Sequence, residues 1–298
     1  MSTPTGAAAI PSVRKPRDDE IDVYGLTHTG MVRADNQDHF LIASLHRQMR
    51  VIRTSLPDLG EATQDTDRLA FLMMVADGVG GGVAGEEASR FALEAIAGYV
   101  TNSAHAYYTA DSSDDDAFRE TLEAAATRVH DALMQRASAR PGRRGMATTL
   151  TLYLGVWPRI YLLQVGDSRY YSLRKGALIQ VSRDQTMAQE LIDMGVLTRT
   201  DHKIARFANV LSSAIGGTQT NPVVTGVQND WDSVHLLCSD GLTRHVSDDR
   251  MRARLSAMTS AREACELLVQ DALSEGGRDN ITVIVCRTTR RDEPGEIR

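Results

Sequence analysis

Leu72-Met73-Met74-Val75-Ala76-Asp77-Gly78-Val79-Gly80-Gly81 runs a long apolar stretch straight into an acid and a cluster of glycines. The apolar part reads as a strand buried on both faces, and the glycines supply a tight turn. The pattern recurs downstream. Val234-His235-Leu236-Leu237-Cys238-Ser239 runs into Asp240-Gly241, and Asp279-Asn280 stands just before Ile281-Thr282-Val283-Ile284-Val285. Asp38 follows Arg33-Ala34-Asp35-Asn36-Gln37. A carboxylate at a strand end is held by the sheet yet faces a cleft. Several converging there repel one another unless cations join them, and hard oxygen ligands suit Mg²⁺ or Mn²⁺. The pattern suggests a multi-metal hydrolytic site.

Working outward, strands are predicted at Ile21–Leu26, His39–Ala43, Leu69–Ala76, Thr148–Gly155, Arg159–Val165, Tyr170–Leu173, Ser233–Ser239 and Ile281–Arg287. Trp157-Pro158-Arg159 reads as a hairpin connection. Helices are predicted at about Ala84–Val100 and Ala117–Ala137, the latter with Phe118, Leu122, Ala125, Val129 and Leu133 on one face. A third, Ala261–Ser274, opens on the capping box Ser260-Ala261-Arg262-Glu263 and stops at Gly276-Gly277. Strands, an inserted helix pair and more strands give an α+β fold with mostly antiparallel sheets. Arg53–Arg68 and Asn102–Asp116 read as excursions, and Asp114-Asp115-Asp116 as a solvated loop.

The 298 residues are 42% hydrophobic with a net charge of −6 and no basic tract, which argues against nucleic acid as the main partner. No apolar stretch approaches a membrane span. Cys238, Cys265 and Cys286 lack metal or redox spacing and read as reduced thiols of a cytoplasmic protein. Residues 1–20 read as a disordered leader, 21–289 as one catalytic domain and 290–298 as a flexible tail.

Taken in order, these elements resemble the metal-dependent Ser/Thr protein phosphatases of the 2C type, in a bacterial-like form. Arg33-Ala34-Asp35-Asn36-Gln37-Asp38 is similar to the R-x-x-N-E/Q-D element, and Asp77 to Gly81, followed by Gly85-Glu86-Glu87-Ala88-Ser89, to D-G-x-G-G and its helix. Gly145 to Leu150, Gly166-Asp167-Ser168-Arg169, Cys238 to Thr243 and Arg278 to Thr282 complete six collinear matches. The resemblance implies two packed antiparallel β-sheets flanked by helices, an α-β-β-α sandwich, with a small helical flap over about 187–214. It implies hydrolysis of phosphoserine and phosphothreonine in phosphoproteins, substrates of an opposing Ser/Thr kinase, by direct attack of a water activated by two Mn²⁺ or Mg²⁺ ions. Asp77 would bridge the ions with the Gly78 carbonyl as a further ligand. Asp240 and Asp279 would complete one shell, Asp38 would act mainly through water, and Arg33 would hold the phosphoryl group. Asp167 and Asp240 match the ligand positions of a third ion, the alternative for Asp167 being a plain turn acid. The implied protein is a cytoplasmic monomer without membrane or nucleic-acid partners.

Three departures from the family pattern stand out. Val79 replaces the histidine that eukaryotic members often carry as general acid, and His39 is a candidate substitute. Asp184-Gln185-Thr186 has Gln where His is usual, and Arg244 follows Asp240 by four where an acidic or neutral residue is common. The rival readings are a catalytically silent phosphatase-fold binding domain and a phosphatase of an anti-sigma-antagonist type regulator.

Overall fold

The computed structural model describes residues 14–46, 49–55, 68–80, 83–102, 115–139 and 145–291. Gly81, most of the two excursions and the Asp114 end of the acidic run lie outside them. All strand pairing is antiparallel. One sheet has the order β1 (Ile21–His28), β12 (Ile281–Thr288), β11 (Val234–Cys238), β8 (Arg169–Arg174), β9 (Ala177–Gln180). The other has the order β10 (Val223–Gln228), β7 (Arg159–Val165), β6 (Leu150–Val156), β4 (Ala70–Val79), β2 (Asp38–Leu45), β3 (Met49–Thr54), with β5 (Ala147–Thr148) paired to the end of β4.

Strand periodicity sorts the side chains into layers. On β4, Leu72, Met74 and Ala76 pack under helices α1 (Val83–Asn102) and α2 (Asp115–Ser138), with Leu93, Ile96, Leu122 and Val129. Phe71, Met73 and Val75 point the other way, into a seam between the sheets shared with Phe40, Ile42, Leu237 and Ile284. On the far side, α5 (Asp248–Ala257) and α6 (Ala261–Ser274) cover the five-stranded sheet through Leu255, Cys265 and Leu268 on Leu236, Val283 and Val285. The outcome is the expected four-layer sandwich. Truncating a zero-exposure residue such as Leu72 would cost roughly 2–5 kcal/mol.

This alternation aims the site. Asp77 continues the series Phe71, Met73, Val75, and Asp38 continues Ile42, Phe40, so both carboxylates belong to the seam at its open end. His39 lies on the opposite face with Leu41 and Ala43.

Part of the segment before residue 21 packs on the domain. The Glu20 carboxylate is buried, takes a paired contact from Arg14 at 2.6 and 2.7 Å, and accepts from the Arg17 and Arg291 backbone at 2.8 and 2.9 Å. Arg14 and Arg17 of the expected leader and Arg291 of the expected tail therefore meet on one acid.

Candidate active site

Asp38 and Asp77 are direct register partners on β2 and β4. Across the seam, β11 ends at Cys238, Ser239 follows, and Asp240 opens a single helical turn, α4 (Asp240–Thr243). Asp279 immediately precedes Asn280 and β12. The latter two acids converge because Gly241 lies against the Asn280 carbonyl, where a Cβ would overlap it. Gly78 is constrained likewise between the Gly85 and Gln37 carbonyls. Arg33, Asp77, Gly78, Asp167, Asp240, Arg244 and Asp279 line one cleft of about 610 Å³.

Hydrogen bonds hold the acids in place. Asp38 Oδ2 accepts from Ser239 Oγ at 2.7 Å and Thr282 Oγ1 at 2.8 Å. Both donors continue the seam-facing series of their strands, Leu237 to Ser239 and Ile284 to Thr282. The Asp77 amide donates to Thr149 Oγ1 at 3.0 Å, and its carbonyl accepts from Thr148 Oγ1 and the Thr149 amide at 2.9 Å each. Asn280 fastens the loop that carries Arg33: its Oδ1 accepts from the Gln37 amide and its Nδ2 donates to the Thr29 and Asp35 carbonyls, all at 2.9 Å. Ser239, Thr282, Thr149 and Asn280 were not among the expected site residues. Their signal in sequence was only their place beside the acids at strand ends.

The electrostatics are those of crowded carboxylates. Burial, opposed by the Ser239 and Thr282 hydrogen bonds and reinforced by Asp240 and Asp279, pushes Asp38 up to about 7. Burial first, then Asp38 and Asp240, pushes Asp77 well up. Burial and Asp240, against the pull of Arg244, push Asp167 up to about 7. Burial also raises Asp240, with Arg244 opposing. Asp38 Oδ1 and Asp240 Oδ1 are buried without a hydrogen-bond partner, a cost normally met by an ion or water. Among the described residues no three His, Cys, Asp or Glu side chains stand close enough to share one ion. Two guanidiniums intervene instead. Arg33 pairs with Asp279 at 2.8 and 2.9 Å, and Arg244 bridges Asp279 at 3.0 Å and Asp240 more closely still. Oxygen-only donors with orphaned acceptors fit divalent ions whose shells are completed by water and a backbone carbonyl.

His39 is not a proton donor to this cleft. It is buried against Ser89 Oγ at 3.0 Å, and burial pulls it down to about 4. Val79 is 40% exposed and carries no proton. Gln185, which stands where His is usual, clamps the Gly166-Asp167 turn by accepting from the Gly166 amide at 2.8 Å and donating its own amide to the Gly166 carbonyl at 3.0 Å. Cys238 and Arg244 also stand at the C-x₅-R spacing of cysteine-dependent phosphatases. Burial pushes that thiol up to about 12, and the guanidinium is committed to carboxylates, so the spacing carries no site.

Residues 187–214 form α3 (Met187–Asp193), a 3₁₀ turn (His202–Arg206) and a return segment. The base is tied by the Met187 amide to the Val210 carbonyl and the Ser212 amide to the Gln185 carbonyl. Of the expected amphipathic stripe, Met194 and Val196 are 72% and 63% exposed. Asn209 to Ala214 line the cleft.

Four layers of helix and antiparallel sheet, with acids gathered at the open seam, define a class, and a family model confirms it. The description protein phosphatase 2C matches residues 58–275, so the chain belongs to the protein phosphatase 2C family. Serine/threonine protein phosphatase PstP of Mycobacterium tuberculosis is 34% identical over 217 residues, 73% of this chain and 40% of that protein. Serine/threonine phosphatase stp of Listeria welshimeri is 29% identical over 248 residues, 81% of this chain and 95% of that one. The crystal structure of the catalytic domain of PstP in complex with 2 manganese ions superposes with a TM-score of 0.68 at 29% identity, covering 91% of this chain and 99% of that one. This chain thus spans 40% of full-length PstP and nearly all of its catalytic domain.

Proposed function

We propose that this protein is a metal-dependent serine/threonine protein phosphatase that removes phosphate from phosphoserine and phosphothreonine in proteins. The observation that carries it is the convergence of Asp38, Asp77, Asp240 and Asp279 from both sheets, two of them with orphaned buried oxygens, beside Arg33. Asp77, Asp240, Asp279 and the Gly78 carbonyl would hold two ions, with Asp38 contributing through water. Mn²⁺, which the PstP catalytic domain carries, is favoured over Mg²⁺ for this chain. When bound, such ions supply an activated water and charge neutralisation.

The chain's own residues do the rest. Ser239 and Thr282 fix the Asp38 carboxylate, and Thr148 and Thr149 fix the strand end bearing Asp77. Arg33, on the loop that Asn280 anchors, pairs with Asp279 and would offer its remaining guanidinium donors to phosphoryl oxygens, and it stays charged at any working pH. The Asn209–Ala214 segment walls the cleft where residues flanking the phosphorylated side chain would lie. Each sheet buries its apolar faces within one chain, which supports a monomer. The three free, buried cysteines fit a cytoplasmic setting opposite a Ser/Thr kinase. Among the described residues no helix is long and apolar enough to cross a membrane.

The test is Mn²⁺-dependent phosphate release from a phosphothreonine peptide by wild type, Asp77→Ala and Asp240→Ala. Wild-type turnover abolished by EDTA and by either substitution is expected. Equal background from all three would end the reading.

A further inference from the structure

Arg244 closes the single turn that Asp240 opens, so their side chains share one side of the turn. Its guanidinium pairs closely with Asp240 Oδ2 and donates from Nη1 to Asp279 Oδ2 at 3.0 Å. Beside the main cleft, Asp167 and Asp240 line a recess of about 200 Å³, and Arg244 lines it with them. The recess has one other guanidinium, Arg169. That group is committed to Asp184 through contacts of 2.7, 2.8 and 3.1 Å and to the Tyr171 hydroxyl at 2.9 Å. Arg244, held on Asp240 and Asp279, is the other guanidinium lining the recess with Asp167, and its charge acts on that carboxylate through space.

Asp167 and Asp240 are the pair that a third ion would use, and here they do not fit one. The two catalytic ions would have Asp77, Asp279 and the Gly78 carbonyl besides Asp240, whereas a third would have only Asp167 besides an Asp240 already shared with them and with Arg244. Charge balance points the same way. Five carboxylates, those of Asp38, Asp77, Asp167, Asp240 and Asp279, face the guanidiniums of Arg33 and Arg244. Two divalent ions then leave the cluster with a single positive charge, suited to a phosphoryl anion. A third would leave three positive charges crowded in a partly buried cleft, an arrangement penalised by desolvation and mutual repulsion.

We propose that Arg244 takes the place of a third ion, so that this chain operates with two. The proposal rests on the metal-dependent reading above. It is tested by counting Mn²⁺ per chain in the full-length protein, by equilibrium dialysis with elemental analysis and by titration calorimetry. Wild type, Arg244→Ala, Arg244→Gln and the double variant Arg244→Ala/Asp167→Asn are compared. Wild type should bind two ions, both single variants should gain a third and weaker one, and the double variant should lose it again. Three ions in wild type would overturn the proposal. So would two ions in both single variants when their circular dichroism is native. A wild type that binds no ion would remove the metal-dependent function itself, and this inference with it.

Discussion

Asp38 and Asp77 stand directly opposite each other across neighbouring antiparallel strands. Like charges in that position destabilise a sheet. The ion-free fold therefore carries a penalty that ligand binding relieves, which makes stability and metal binding two readings of one arrangement.

Replacing Asp77 with Asn should remove the repulsion and the function together. In EDTA the variant should melt about 2 °C or more above wild type, as expected for roughly 1 kcal/mol in a chain of this size. With saturating Mn²⁺, kcat/KM should fall by at least about 10³-fold, the scale of losing a metal-ion contribution. Differential scanning calorimetry and phosphopeptide kinetics check the two halves. A lower melting point in EDTA would contradict the pairing argument.

The pH dependence of the ion-free protein follows from the same acids. Asp38 and Asp167 are raised to about 7 from an unfolded value of 3.8, so between these limits the native state binds more protons than the unfolded chain. Stability should then fall as pH rises from about 4 through about 7, the opposite of the usual carboxylate case. Melting in EDTA across pH 5 to 8 should show this decline, and Mn²⁺ should restore stability mainly at the upper end, with proton release on binding.

Asn280→Ala should loosen the loop that carries Arg33 by removing the hydrogen bonds that Asn280 makes to the Gln37 amide and the Thr29 and Asp35 carbonyls. Groups of this kind cost roughly 1–3 kcal/mol each when left buried and unsatisfied. Hydrogen exchange over residues 29–37 should accelerate, and KM for a phosphopeptide should rise more than kcat falls. An unchanged exchange pattern would show that the loop is held elsewhere.

His39→Gln should leave kcat/KM within about threefold of wild type, because a general acid typically contributes far more. The loss of the Ser89 contact should appear only as a lower melting point. A drop of about 10²-fold at full metal occupancy would return His39 to the chemistry.

With Val79 in place of a proton donor, leaving-group basicity should matter. p-Nitrophenyl phosphate, whose phenolate leaves without protonation, should be hydrolysed readily with Mn²⁺. Its failure to react while phosphothreonine peptides do would count against this account.

The central strands were plain in the sequence because burial on both faces leaves near-continuous apolar runs, and Arg159–Val165 appears with its predicted bounds; so does the helix Ala261–Ser274, marked by its capping box. The strands at 177–180 and 223–228 escaped notice because edge strands are half exposed and carry no such run. Helix α5 was hidden for a related reason. Between Asp248 and Ala257 only Met251 and Leu255 are buried, too few to set a period against the surrounding Arg and Asp. At the site, the acids could be read from their place at strand ends, and Arg33 from the resemblance to the phosphatase family. What sequence could not provide was pairing across distance. Ser239 and Thr282 meet on Asp38 only because two strands 43 residues apart share a register. Arg244 reaches Asp279 for the same reason.

Asp279 and Asn280 are joined by one peptide bond, yet the first belongs to the acid cluster and the second anchors the loop of Arg33. The spacing between the charge cluster and the arm that carries Arg33 is thus calibrated by covalent geometry, the least deformable ruler a protein has. Sheets can slide and side chains can change rotamer, but this gauge does not stretch. A substitution that shifts either neighbour would disturb the acid cluster and the Arg33 loop at once.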